Sequence, residues 1–228
     1  MKKSNISNKI GRPKLTREKI ILEALILAEQ KGLEAMSMRN LAANLKVEAM
    51  SLYKYIENKD DLIDGMIEVI YKQIPLPDSK LNWKKALKER ALSERNILSK
   101  YFWIIQLLEA RSGTGVTRLE HQNFLIGLLR NSGFSIELAF HTMVSITGYV
   151  YGFVIFESAW KNNSERSKTE KKAKVLITPT EHPYVIEMIN YAMSRNRDKT
   201  EMHSTDFEFG LDLILNGLDK LLMEVKFA

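Results

Sequence analysis

Apolar residues recur three and four positions apart along nearly the whole chain, and clusters of Pro, Gly and polar residues interrupt them at helix-length intervals. This periodicity predicts an all-α protein. The first helix starts at Thr16 as N-cap, carries Ile20, Ile21, Ala24, Leu25, Leu27 and Ala28, and ends at Gly32, which suits a left-handed C-cap. Two short elements follow, 37–44 and 48–55, with three residues between them. Asn58-Lys59-Asp60-Asp61 then caps a helix over about 58–72, which stops before Pro75-Leu76-Pro77. Those prolines predict a domain boundary: an arm over 1–15, a small domain over 16–74 and a larger one over 75–228. In the larger domain the pattern predicts helices over 81–100, 101–110, 115–131, 135–160, 181–195 and 204–224.

Three stretches depart from simple amphipathicity. Residues 161–174 are polar and without period, so a mobile loop reaching about 178 is expected; its six basic and two acidic residues read as a solvated loop before a second nucleic-acid contact. Residues 138–156 hold no charge over nineteen positions and include Gly148-x-x-x-Gly152. That length suffices to span a bilayer, but His141, Thr142, Ser145, Thr147, Tyr149 and Tyr151 leave it only moderately apolar, and the centre of a helical bundle also requires a helix apolar all round. We read it as a buried bundle helix, with no membrane partner. The last helix carries Phe207, Leu211, Ile214, Leu215, Leu218, Leu221 and Leu222, with Gly210 and Gly217 on one side, a pattern of close helix contact within one chain or between two.

Composition bounds the class. A chain of 228 residues with 45% hydrophobic and 27% charged residues buries a core in one or two domains. With no Cys there is no disulfide framework, thiol nucleophile or thiolate zinc site. No apolar segment of an export signal precedes Ile20, so a cytoplasmic protein is expected. The net charge of +6 is localised: the first twenty residues hold seven basic residues against Glu18, while the remainder is balanced at 27 of each sign. Such an arm calls for an acidic partner or for solvent.

The chemistry is concentrated between Ser37 and Ile56, where two short helices joined by a tight turn make a helix-turn-helix pattern. Leu41, Ala42, Leu45, Val47, Leu52 and Ile56 are its expected core. Ala49, Met50, Ser51, Tyr53, Lys54 and Tyr55 are left outward, a mix of methyl, hydroxyl, aromatic and ammonium groups that suits a major groove. An ordinary helical hairpin with surface tyrosines fits the same pattern.

Gly11-Arg12-Pro13, the helix ending at Gly32, and Leu52-Tyr53-Lys54-Tyr55-Ile56-Glu57-Asn58-Lys59 together resemble the tetracycline-repressor (TetR) family of bacterial transcription regulators over about residues 11–70. Gly133-Phe134-Ser135 and residues 207–218 resemble the family's tetracycline-repressor subgroup. The resemblance implies a three-helix DNA-binding domain followed by a helical bundle for ligand binding and dimerisation. It implies that Ser37 and Arg39 at the start of the first short helix, with Ala49, Met50 and Ser51, face bases. Tyr53, Lys54 and Tyr55 would divide between bases and phosphates, Lys59 would hold a phosphate, and Arg12 and Lys14 would enter the minor groove. Where the family usually has Gly in the turn, this chain has Lys46.

The resemblance further implies a homodimer on a palindromic operator, joined by the long uncharged helix and the last one; Gly148, Gly152, Gly210, Leu211, Ile214, Gly217 and Leu218 are the candidate contacts. One recognition helix reads too few base pairs alone, which points the same way. Candidate effector-pocket residues are Trp103, Gln106, Arg111, Gln122, Phe140, Met143, Thr147 and Tyr151, which mix apolar walls with a few polar groups. Magnesium-bound tetracycline is not the expected effector, because no His lies between Ile56 and Glu120. The four His residues have no metal-ligand spacing, and Ser112-Gly113-Thr114-Gly115 has neither the strand nor the base of a nucleophile elbow. No metal, cofactor or enzymatic activity is therefore expected. A helical enzyme or lipid carrier is the alternative class.

Overall fold

The computed structural model describes residues 15–111, 115–161, 177–194 and 199–227. Arg12, Lys14 and the basic loop from 162 onward lie outside them. The described residues are helical throughout apart from turns and connections, and they divide into two compact units, Met1–Val69 and Ile70–Ala228.

In the first unit α1 covers Arg17–Lys31, and Thr16 Oγ1 accepts the Lys19 N–H at 3.2 Å as the expected N-cap. Gly32 closes the helix at φ 80° and ψ 161°, a positive-φ conformation proper to glycine but outside the left-handed helical cap expected of it. A 3₁₀ turn, Leu33–Ala35, leads to α2, Met38–Leu45. Then come α3, Ala49–Leu52, and α4, Lys59–Tyr71. Ile20, Ala24, Leu27, Leu41, Leu52, Ile56, Leu62 and Met66 are all buried and fasten these helices to one another. Leu45 and Val47, expected in this core, are only half-buried. The second short helix is a single turn rather than the expected eight residues; Tyr53–Tyr55 continue as a turn, in which Tyr55 and Ile56 N–H both donate to Leu52 O at 2.9 and 3.0 Å.

Lys46 ends α2 in the left-handed region, at φ 56° and ψ 45°. Its N–H donates to Ala43 O at 3.1 Å and that of Val47 to Ala42 O at 3.0 Å, the paired bonds of a Schellman cap. The tight turn is thus built as the spacing requires, on a residue with a Cβ.

The second unit takes over at Ile70, inside α4 and ahead of the prolines, because the Tyr71 hydroxyl is tied to Tyr151 and Glu94 of this unit. It contains α5 (Trp83–Leu98), α7 (Val116–Asn131), α8 (Ile136–Lys161), α9 (Pro183–Ser194) and α10 (Lys199–Phe227). The helix expected over 101–110 is a 3₁₀ turn, Phe102–Ile104, followed by α6, Ile105–Ala110. Helix α8 packs on α5, α7 and α10, and α5 also packs on α10. A buried Arg95–Glu157 pair at 3.1 Å joins α5 to α8, Ser99 Oγ donates to the same carboxylate, and the guanidinium lies 5.3 and 5.1 Å from the Phe153 and Phe207 rings. Lys88 to Asp212 at 2.8 Å and Lys84 to Asp219 at 3.0 Å join α5 to α10.

The uncharged pattern of α8 predicts a helix buried all round, and here the structure differs. Its segment Ile136–Ala159 has the length to cross a membrane and its most apolar window a mean hydropathy of 1.4, yet only 33% of that window is buried by this chain. Ile136, Phe140, Val144, Ile155 and Phe156 are exposed along it, as are Gly148 and Gly152.

Candidate DNA-binding surface and effector cavity

The expected DNA-facing residues from Ser37 to Lys59 are on one stretch of the first unit. Arg39 is exposed at the second position of α2. Met50 is 75% exposed and Tyr53 46%, with Lys54, Tyr55 and Lys59 also at the surface and Ala49 and Ser51 half-buried. Ser37, half-buried, is also the N-cap of α2, its Oγ accepting the Asn40 N–H at 3.2 Å. Lys59 is the first residue of α4, behind Asn58, whose Oδ1 accepts the Asp61 N–H at 2.9 Å.

By sequence Arg17 belongs to the basic arm, but the structure gives it a partner that local pattern does not reveal. Arg17 makes a two-pronged contact to Asp61 at 2.6 and 2.8 Å and donates to Tyr55 O at 3.2 Å, while Asp61 also accepts the Glu57 N–H at 2.8 Å. The start of α1, the start of α4 and the end of the α3 segment are joined by these four bonds. The Arg17 hydrogen bond, helped by the Glu57 N–H, holds the Asp61 carboxyl below the usual carboxylate range. One charge of the arm is therefore neutralised inside the domain.

In the second unit a cavity of about 50 Å³ is lined by α5, α7, α8 and the last residue of α4. Four expected residues line it: Gln122, Met143, Thr147 and Tyr151. The other four do not. Phe140 is 64% exposed on the outer side of α8, and Gln106 is exposed on α6. Trp103 packs edge-on against Tyr101, with ring centres 6.4 Å apart, and Arg111 is the C-cap of α6.

The lining that sequence reasoning missed is mostly polar: Arg90 and Glu94 on α5, and Arg118 and His121 on α7, together with Tyr71 and Leu125. The signal was present on α5, where Trp83, Leu87, Arg90, Glu94 and Leu98 follow one three-and-four stripe, so that Arg90 and Glu94 occupy positions of an apolar face. Both are buried, as is His121. Arg90 Nη1 lies 3.1 Å from Glu94 Oε2, an ion pair without the angle of a hydrogen bond, and among the described residues Arg90 Nε has no acceptor. The Tyr71 hydroxyl lies 3.4 Å from Glu94 Oε1 and 2.9 Å from that of Tyr151. Burial, with Glu94 adding to it, pushes Tyr71 up to about 12; burial, with Tyr71 and Glu94 adding, pushes Tyr151 up as well, so both remain neutral donors. His121, which follows the His-free interval, stands in this cavity with its ring 6.3 Å from that of Tyr71. The missing histidines of that interval therefore give no ground against a magnesium-held ligand.

The candidate dimer contacts separate into two sets. Gly148, Gly152 and Gly217 are exposed, and Ile214 is half-buried. Leu211 and Leu218 belong to the chain's own core, and a Cβ on Gly210 would fall 2.8 Å from Tyr149 Cζ, so Gly210 serves the contact of α10 with α8. The exposed apolar residues of α10 are instead Phe209, Leu213, Leu221 and Met223.

Residues 20–66 match the family model described as bacterial regulatory proteins, tetR family, and residues 76–222 match that of the tetracyclin repressor-like C-terminal domain. The chain belongs to the TetR family. It is a ligand-responsive transcriptional regulator with a helix-turn-helix DNA-binding domain. Among TetR-family relatives, the tetracycline repressor protein class E of Escherichia coli is 29% identical over 222 residues, covering 93% of this chain and 95% of that protein. The transcriptional repressor DrrR1 of Streptomyces coeruleorubidus is 25% identical over 218 residues, covering 93% and 80%. Among solved structures, the TetR-family protein ActR of Streptomyces coelicolor in complex with actinorhodin superposes with a TM-score of 0.74 at 23% identity, covering 92% of this chain and 99% of that one.

Proposed function

We propose that this TetR-family regulator is a cytoplasmic homodimer without catalytic activity that occupies a palindromic operator, represses transcription there, and is released when a small molecule enters the cavity of its second unit. The observation that carries this reading is the surface formed by Arg39, Met50, Tyr53, Lys54 and Lys59, five side chains held outward by a short core of Leu41, Leu52 and Ile56. The guanidinium of Arg39 reads a base edge, Met50 and Tyr53 meet thymine methyls and sugars, and Lys59 pairs with a phosphate. Arg12 and Lys14 extend the contact into the minor groove.

The exposed residues of α8, from Ile136 through Phe140, Val144, Gly148 and Gly152 to Phe156, and Phe209, Leu213 and Leu221 of α10 support pairing with a second copy rather than insertion in a membrane. Coupling follows from chain connectivity: α4 begins with Lys59 of the DNA surface and ends with Tyr71 of the cavity wall. A ligand that favours one position of Tyr71 thereby biases the recognition helices, provided it binds the two states with different affinity.

Gel shifts on the selected operator and on a scrambled duplex test the DNA roles. Arg39→Ala should reduce affinity for the operator about tenfold and leave the scrambled duplex unchanged, a loss of base discrimination. Lys59→Ala should weaken both alike and lower the salt slope by about one. Equal effects of the two variants on both duplexes would refute the assignment.

A further inference from the structure

We propose that the effector is an organic acid whose carboxylate is recognised by Arg90 and Arg118; this rests on reading the cavity of the second unit as the effector site. Three observations carry it. The cavity wall holds two guanidiniums against one carboxylate. Glu94 is already engaged, by Arg90 at 3.1 Å and by the Tyr71 hydroxyl at 3.4 Å. Arg118 donates from Nη1 to Leu108 O at 2.9 Å and pairs with no carboxylate among the described residues. One positive charge is thus left in a largely buried wall, where a charge without a counter-ion is costly and an anion is correspondingly well held.

The geometry also selects the kind of anion. Arg90 is 5% exposed and its Nε has no acceptor among the described residues, so a planar carboxylate can take that edge of the guanidinium. The hydroxyls of Tyr71 and Tyr151 are bonded to Glu94 and to each other and hold that carboxylate in place, and Leu125 and Met143 supply apolar wall. A space of about 50 Å³ admits a carboxylate head, whereas drug-sized ligands occupy roughly 300 Å³ or more. The body of a larger acid exceeds this space, so seating it requires the lining helices to shift, and that shift supplies the difference between two states that release of DNA needs.

Calorimetric titration of the full chain with acetate, benzoate and 2-naphthoate, and with benzamide and 2-naphthamide, tests this directly without DNA. At least one aromatic acid should bind about tenfold or more tighter than its amide, as expected for a charge-assisted fork. The preference should vanish in Arg118→Gln and in the double variant Arg90→Gln with Glu94→Gln, which leaves no carboxylate unpaired; unchanged DNA binding by each variant shows that it is folded. Amides binding as well as acids, an acid preference that survives in both variants, or no binding by any of the three acids would overturn the proposal. Acid binding with these mutational effects but no release of operator DNA would uphold the anion site and refute the effector reading instead.

Discussion

Lys46 sets a small local cost. A non-Gly residue at φ 56° loses roughly 1 kcal/mol relative to glycine, and its side chain points to solvent rather than into a contact that would offset the loss. Lys46→Gly should raise the melting temperature by about 2–4 °C with operator affinity unchanged; a lower melting temperature would show that the Lys side chain stabilises the domain. The turn was legible because only three residues separate two helical patterns, which leaves the backbone few routes. The Arg17–Asp61 pair was not, because its partners stand 44 positions apart and local pattern carries no such pairing. Its sign with pH follows from the lowered Asp61 carboxyl: the pair stabilises fully above the unfolded value of about 3.9 and is lost as pH falls through the lower folded value. Arg17 is 39% exposed, so the contribution is about 1 kcal/mol or less. Urea melts of Asp61→Asn should show lower stability than the wild type at pH 7 and a difference that shrinks as pH falls below the unfolded carboxyl value of about 3.9.

At the scale of helices, spacing identified faces but not neighbours. Gly210 and Gly217 share a spacing of seven and one apparent side, yet Gly210 lies under Tyr149, which donates to Phe207 O at 2.8 Å and stacks on that ring at 5.2 Å, whereas a Cβ on Gly217 would meet no neighbouring atom within 4 Å among the described residues. Gly210→Ala forces the Tyr149 ring aside; overpacking of about 1–3 kcal/mol outweighs a helix gain of about 1 kcal/mol, and thermal melts should show net destabilisation. Length was similarly ambiguous: α3 ends after one turn although the apolar spacing continues to Ile56, because Ile56 is delivered to the core by a turn instead of a helix. The charged wall of the cavity escaped notice for a related reason. Arg90 and Glu94 sit in the apolar stripe of α5, but a Lys- and Arg-rich segment reads as a solvated face until α7 and α8 are placed against it.

For the whole molecule, the fold class and the helix-turn-helix were legible because both rest on short-range pattern and family resemblance; the cavity, built from four helices distant in sequence, was half legible. The long apolar helix is where the scales meet. Only a third of its most apolar window is buried by its own chain, and a second copy is the proposed cover for the exposed positions. Val144→Glu, placed at an exposed helical position, should give a folded monomer by sedimentation and circular dichroism, with operator affinity reduced at least about tenfold because two half-sites are no longer bound together. The central claim, a twofold-symmetric reader of DNA, is tested most directly by selecting bound sequences from a pool of random duplexes with the full chain. The expected result is an inverted repeat whose half-sites are about one helical turn apart. Enrichment of a single unrepeated motif, or of none, would contradict it.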